Sequence, residues 1–306
     1  MIRPLSTLSI RHRSLKGSTQ ASPSQLQATR VAADLLTHTG SPRHKQQAID
    51  YIRAELGSCV SSADEYITLV LPPVLHNVLV TLPAPYGLKG GAARELLGSL
   101  AHHRPLRQPR DIDVIRQGSS AVPKDSEIAR TYMPHDYRHG ARVELIRSMQ
   151  QYLASRDVTA NELAVFSNSL SVSILGALDT LGHTIRPSRY RGGSIHRQPS
   201  LDGRIFLKAV RLFAEAENAG DPAQLVGIPD TVAFSEVDLA LHLDKAFQRS
   251  TNVARSFVDT LVLLGALPAS REPLTALLDE LDHLRYGENG LLPHAPKRDT
   301  RREPEP

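Results

Sequence analysis

Gly87-Leu88-Lys89-Gly90-Gly91-Ala92-Ala93-Arg94-Glu95, followed closely by Arg110-Asp111-Ile112-Asp113-Val114, decides the fold of this chain. Tyr86–Lys89 reads as a short strand that runs through a glycine turn into a helix from Ala92, with Leu96, Leu97 and Leu100 as its apolar stripe. The second stretch reads as a strand over Asp111–Ile115. Side chains alternate across a strand, so Asp111 and Asp113 face one way and Ile112 and Val114 the other. Two carboxylates at that spacing repel each other unless a cation lies between them. Mg²⁺, bound through carboxylates plus substrate phosphates, is the cation that suits such a pair. Taken alone, Asp-x-Asp is also an ordinary exposed strand edge.

Gly90 and Gly91 add a second half to that reading. Glycines between a strand and a helix let the backbone approach a ligand, and a helix N-terminus favours negative charge. Lys89 and Arg94 extend cationic reach towards a β- or γ-phosphate. Without the aspartates, a tight turn with no ligand would be the simpler account. A third acid, Glu144, alternates with Val143 and Leu145 in a strand expected over Arg142–Ile146, where it either joins the aspartates or pairs with Arg142 or Arg147.

Outward from this centre, an α+β fold is expected, a small mixed sheet with helices on one side followed by an all-helical part. A helix spans 42–58, with Ala48, Tyr51, Ile52 and Leu56 on one face, and Pro72-Pro73 opens another through Leu75, Val78 and Leu79. Further elements are a helix around Ser126–Tyr132 and strands at Leu170–Leu175 and His183–Arg186. After Leu201 every segment reads as helix. Ile205, Ala209, Leu212, Phe213 and Ala216 recur at helical spacing, Ser235 and Asp238 make a capping-box-like start, and a last helix runs from about Pro273 to Tyr286. The expected division is a disordered basic leader over 1–40, helices over 41–85 that pack on the next unit, an α+β head over 86–200, a helical part over 201–287 and a disordered tail over 288–306.

At 306 residues the chain is long enough to bury a sizeable core, and its formal net charge of +4 permits an anionic partner. The first acid is Asp34, preceded by Arg3, Arg11, Arg13, Lys16 and Arg30. That composition fits an unstructured leader or an organelle-targeting segment, and the first is the reading taken. The lone cysteine, Cys59, excludes an internal disulfide and fits a reducing compartment such as the cytoplasm. No apolar run approaches membrane-spanning length, so no membrane partner is expected. His135 and His139, and His102-His103, have no cysteine partner and no helical pattern, and are not read as a zinc site.

These residues resemble the head domain of the class II tRNA nucleotidyltransferases (CCA-adding enzymes) and bacterial poly(A) polymerases. The family's Gly-Gly-x-x-Arg-Asp appears as Gly90-Gly91-Ala92-Ala93-Arg94-Glu95, its Asp-x-Asp as Asp111-Ile112-Asp113, and its Arg-Arg-Asp-Phe-Thr-x-Asn as Ser155-Arg156-Asp157-Val158-Thr159-Ala160-Asn161. The resemblance covers roughly 86–216. It implies that Asp111 and Asp113 hold catalytic Mg²⁺, that Gly90, Gly91 and Arg94 cradle a triphosphate, and that Arg156 and Asp157 contact the nucleotide. Read by itself, Arg156-Asp157 is equally a structural salt bridge. The family's base-selecting Glu-Asp-x-x-Arg is altered to Leu201-Asp202-Gly203-Arg204-Ile205, ahead of Lys208-Ala209-Val210-Arg211. Asp202, Arg204, Lys208 and Arg211 are the residues left to meet the base. Selection between CTP and ATP therefore stays open, and a solvated helix face explains Lys208, Arg211 and Glu215 as well.

The expectation is template-independent transfer of a nucleotide from ATP or CTP by two-metal catalysis, with an RNA 3′ end as acceptor. A protein or small-molecule acceptor is the first alternative, because the helical part is short for gripping RNA. A non-catalytic RNA- or nucleotide-binding protein is the second.

Overall fold

The computed structural model describes residues 7–9, 15–17, 19–57, 59–62, 65–79, 81–109, 111–134, 140, 142–188, 199–228 and 231–267. A seven-stranded sheet organises the first two thirds. Its strands are β3 (Cys59–Ser62), β4 (Tyr66–Val70), β5 (Tyr86–Lys89), β6 (Asp113–Gln117), β7 (Glu144–Ile146), β8 (Leu163–Phe166) and β9 (Ser169–Ser173), in the spatial order β3-β4-β9-β8-β5-β6-β7. All neighbours are antiparallel except β6 and β7, so the sheet is mixed and the whole is α+β.

Alternation along the strands divides the apolar residues between two faces. Val114, Val165, Leu170 and Val172 enter a large core with helices α1 (Pro23–Thr37), α2 (Pro42–Leu56), α4 (Gly90–His102) and α7 (Ile174–Leu181). Short helices α3 (Pro73–Val78) and α5 (Pro123–Tyr132) lie between strands. On the opposite face, Ile115, Ile146 and Ala164 meet Tyr152 and Leu153 of α6 (Met149–Ala154). Each fully buried leucine contributes about 1.5–3 kcal/mol, so the helix-covered face supplies most of the stabilisation.

A second core surrounds α8 (Pro199–Asn218), whose Phe206, Leu207, Ala209, Val210 and Ala214 are wholly buried. Helices α9 (Glu236–Phe247) and α10 (Thr251–Leu263) pack on it. Ser235 caps α9 by accepting from Asp238 N at 3.1 Å, and Ser250 caps α10 from Val253 N at 3.1 Å. Val158, just past α6, belongs to this second core and bridges to Pro187, so the 156–161 stretch lies where the two cores meet.

Several expectations need correction. In place of a disordered leader over 1–40, α1 is a capped helix: Ser22 and Gln25 form a capping box, Pro23 opens the first turn, and Ala28 and Ala32 are buried. β1 (Thr7–Ser9) pairs with β12 (Thr231–Ala233), and β2 (Leu15–Lys16) with β11 (Gln224–Leu225), which also pairs with β10 (Thr184–Ile185). The region after Leu201 is therefore not purely helical. The boundary at 86 also fails, because β3 and β4 are part of the same sheet as β5. β6 starts at Asp113, two residues later than expected, and β7 at Glu144. The helix expected at 273–286, the tail, and His135 with His139 lie outside the described residues. Among those described, no helix is long and apolar enough to cross a membrane.

Candidate functional site

The turn between β5 and α4 meets the start of β6. Cross-strand pairing sets Lys89 opposite Asp113, and the chain then enters Gly90 with φ +62°. A Cβ on Gly90 would overlap Asp113 Oδ2, and one on Gly91 would lie 3.5 Å from Asp111 Oδ1 and 3.9 Å from Arg94 Nη2. Both carboxylates thus reach the glycine turn, Asp113 from the first residue of β6 and Asp111 from the segment just ahead of it. Glycine is required at 90 both for its left-handed backbone and because the carboxylate takes the side-chain space. Two carboxylates converging on a helix N-terminus suit a hard divalent cation that shares phosphate oxygens. Among the described residues no group of three or more His, Cys, Asp or Glu side chains is gathered as a metal cage, so the protein's own donors there would be the two aspartates.

Glu144 does not pair with Arg142 or Arg147 as the plainer expectation had it. Its Oε2 accepts from Lys89 Nζ at 2.5 Å and its Oε1 from Arg156 Nη2 at 2.8 Å. Burial favours the neutral acid, but the Lys89 ammonium and Arg156 guanidinium outweigh it and hold the carboxyl below the usual range. Arg156 also donates to Tyr152 O at 3.1 Å and Ser155 Oγ at 2.8 Å, and its guanidinium stacks 4.1 Å from the centre of the Tyr152 ring. Arg156, which the resemblance brings to the nucleotide, thus orients Glu144.

A relay of polar side chains crosses from the sheet to the helical core. Arg94 donates to Asn161 Oδ1, Asn161 Nδ2 donates to Asp157 Oδ1 at 2.6 Å, and Lys208 Nζ donates to Asp157 Oδ2. Burial pushes the Asp157 carboxyl up, yet Lys208, Asn161 and the Val158 N–H bring it down to about 2. Burial also lowers Lys208, with Asp157 opposing. Further along α8, Arg211 bonds Glu215, while Arg204 lies 3.2 Å from Asp238 and Asp202 is exposed. His242 of α9 is buried with an unpartnered Nδ1; burial, then Arg211, Lys245, Lys208 and Arg204, hold its imidazole neutral with a pKa of about 3.

A cleft of ≈370 Å³ opens between α4 and the C-terminal half of α8. It is lined by Gly91, Arg94 and Glu95 of α4, by Leu212, Glu215 and Ala216 of α8, and by Arg107, Asp221 and Arg249. Its size is that of a small-ligand pocket. Glu95 accepts from Arg104 Nη1 and from the Arg107 backbone, both at 2.5 Å, and so pins the loop that follows α4. Arg107 and Asp221 form a two-pronged pair at 2.8 and 2.9 Å across that end.

Of the residues expected from sequence, Lys89, Gly90, Gly91, Arg94, Asp111, Asp113 and Glu144 lie around one turn. Asp157 and Lys208 join it through Asn161. Of all these expected residues only Gly91 and Arg94 line the cleft; the aspartates and Glu144 do not, and neither do Asp202, Arg204, Lys208 and Arg211. Sequence reading missed Glu95, Arg104, Arg107, Asp221 and Arg249 as lining residues, and Tyr152 beside Glu144. Only the arginine- and proline-rich run 104–110 offered a local signal. Compared with known proteins, the chain matches no protein-family model and no curated protein.

Proposed function

We propose that this chain is a template-independent nucleotidyltransferase that adds a nucleotide from ATP or CTP to an RNA 3′ hydroxyl. The observation that carries this reading is the convergence of Asp111 and Asp113 on the Gly90-Gly91 turn, whose Gly91 also lines a cleft of ≈370 Å³. The backbone N–H groups that open α4 would take the outer phosphates, with Arg94 beside them. Asp111 and Asp113 would hold Mg²⁺, which when bound supplies charge neutralisation and a more acidic acceptor hydroxyl. The acceptor oxygen bonds to the α-phosphorus as the bond to the bridging oxygen breaks. Pyrophosphate leaves with that electron pair, and the hydroxyl proton passes to water. Positioning supplies most of the rate, as is general for this chemistry. The relay from Arg94 to Lys208 keeps α8 in register with the turn and so fixes the cleft's width.

A second reading, transfer to a protein or small molecule, draws on the charge pattern of the cleft. Of the four arginines that line the cleft, Arg104, Arg107 and Arg249 lie against Glu95, Asp221 and Glu215 and Arg94 bonds Asn161, which leaves no run of unengaged basic side chains there for an RNA backbone. Incubation with each α-labelled nucleoside triphosphate, Mg²⁺ and either total RNA or cell protein separates the two. Label in RNA that vanishes with Asp111→Ala or Asp113→Ala supports the first reading; label in protein or a small molecule supports the second. Nucleotide binding with no transfer under any condition overturns both.

A further inference from the structure

Away from the sheet, the turn that joins α1 to α2 holds two histidines against each other. His38 caps the end of α1 and His44 lies in the first turn of α2, and their rings stack with centres 4.0 Å apart and planes 4° from parallel. Each ring is fixed through its Nδ1. His38 Nδ1 lies 3.0 Å from Asp34 O. A carbonyl only accepts, so that Nδ1 carries the proton and Nε2 of the neutral ring keeps its lone pair. His44 Nδ1 lies 2.9 Å from Ser41 Oγ. Ser41 is the N-cap of α2, where a serine hydroxyl ordinarily accepts from the backbone two or three residues on, yet it makes no such bond. The hydroxyl is given to the imidazole instead. Histidines that ligate metals are held in this way, with one ring nitrogen bonded to a nearby oxygen and the other left for the ion.

We propose that His38 and His44 form a surface site for a divalent transition ion of the Zn²⁺ type, bound through the two Nε2 atoms while His44 Nδ1 donates to Ser41 Oγ. Imidazole suits Zn²⁺, Cu²⁺ and Ni²⁺, whereas Mg²⁺ takes oxygen ligands, so this site is chemically distinct from the aspartate pair and independent of the transferase reading. Tetrahedral Zn²⁺ with bonds of about 2.0–2.1 Å sets two ligand nitrogens roughly 3.3 Å apart. Rings already stacked at 4.0 Å reach that spacing by tilting towards each other. His38 is exposed and His44 half-buried, so water fills the remaining positions. The two ligands belong to different helices, and the ion therefore ties the end of α1 to the start of α2. It binds the folded turn in preference to an extended chain, which stabilises the folded form.

The test titrates Zn²⁺ alone into the full chain and follows the imidazole C–H resonances by NMR, with those of His38 and His44 assigned from His38→Gln and His44→Gln. In the natural chain the two sets of signals should move together on one binding curve, and Mg²⁺ should move neither. In either variant the remaining ring should need at least about tenfold more Zn²⁺ for the same shift, because its partner no longer supplies a second ligand at high local concentration. Ser41→Ala keeps both ligands and should weaken binding about tenfold. Thermal melts establish that each variant is folded. An unchanged curve for the remaining ring in both folded histidine variants overturns the proposal, as does Zn²⁺ that leaves both rings of the natural chain unmoved. A Ser41→Ala curve that coincides with that of the natural chain overturns the holding role given to the serine.

Discussion

The carboxylate of Asp113 fills the space that a side chain on Gly90 would need, and Gly90 holds φ +62°. Gly90→Ala therefore combines a left-handed alanine, which costs about 1–2 kcal/mol, with displacement of the carboxylate. The expected outcome is a loss of stability of about 2 kcal/mol by urea denaturation, together with loss of Mn²⁺ binding. Gly91→Ala is the control. Its new Cβ would stand 3.5 Å from Asp111 Oδ1, an ordinary contact, and alanine is the better helix former by about 1 kcal/mol. Equal destabilisation by the two substitutions would contradict this assignment.

Asp157 links Asn161 to Lys208, and its carboxyl has a pKa of about 2 against an ordinary 3.8. A depressed carboxyl stabilises the fold fully above about pH 4–5 and loses that contribution as pH falls through about 2. The unfolded chain takes up the proton first, so acid favours unfolding. Asp157→Asn should lower the urea midpoint at pH 7 and flatten its acid dependence, with a difference from the natural chain of at most about 2 kcal/mol that disappears near pH 2. Midpoints measured from pH 2 to pH 7 on both proteins check this. A difference constant over that range would mean that Asp157 acts through its shape and not its charge.

Local periodicity made some elements legible and hid others. The strand, turn and helix from Tyr86 to His102 could be read because an apolar stripe follows a glycine pair directly. β4 was overlooked although Ile67 and Leu69 alternate with Tyr66, Thr68 and Val70, because the neighbouring helices invited a helical reading of the whole region. For α1, the scarcity of acids outweighed a plain capping signature at Ser22-Pro23 with Gln25. The aspartates and glycines of the site were legible because they lie within 25 residues of each other. The cleft was not, since Arg94 and Glu95 face Glu215 and Arg249, which no local spacing connects. Nor did any local spacing announce that Arg156 bonds Glu144 and stacks on Tyr152.

Arg107 and Asp221 tie the loop after α4 to the residue region beyond α8, in a pair whose arginine is nearly half exposed. Exposed pairs contribute at most about 1 kcal/mol, so Arg107→Ala should change global stability by less than that. Its effect should instead be local. Amide exchange at 103–109 is expected to speed up while exchange in α8 stays slow, because Glu95 still holds the Arg107 backbone N–H. Added salt should reproduce part of the effect in the natural chain. Faster exchange through α8 as well would show that the pair supports the helical core and not the cleft rim alone.

Arg116 and Asp125 are both buried and bonded at 2.7 Å, three residues along β6 from Asp113. Tyr86 Oη also donates to Asp125 Oδ1 at 2.9 Å, and the Val122 N–H to Oδ2 at 2.9 Å. Burial would raise the Asp125 carboxyl, but Arg116, the Val122 N–H and Tyr86 overcome it and hold it low. Removing one partner strands the other in a dry interior, so Asp125→Ala should cost about 3–5 kcal/mol, measured by urea denaturation. Replacing both with apolar residues of similar volume, Arg116→Met with Asp125→Leu, should recover most of that loss. If the double variant is as unstable as Asp125→Ala, the network matters for the hydrogen bonds it gives Ser120, Val122 and Tyr86, and not for the pairing of its two charges.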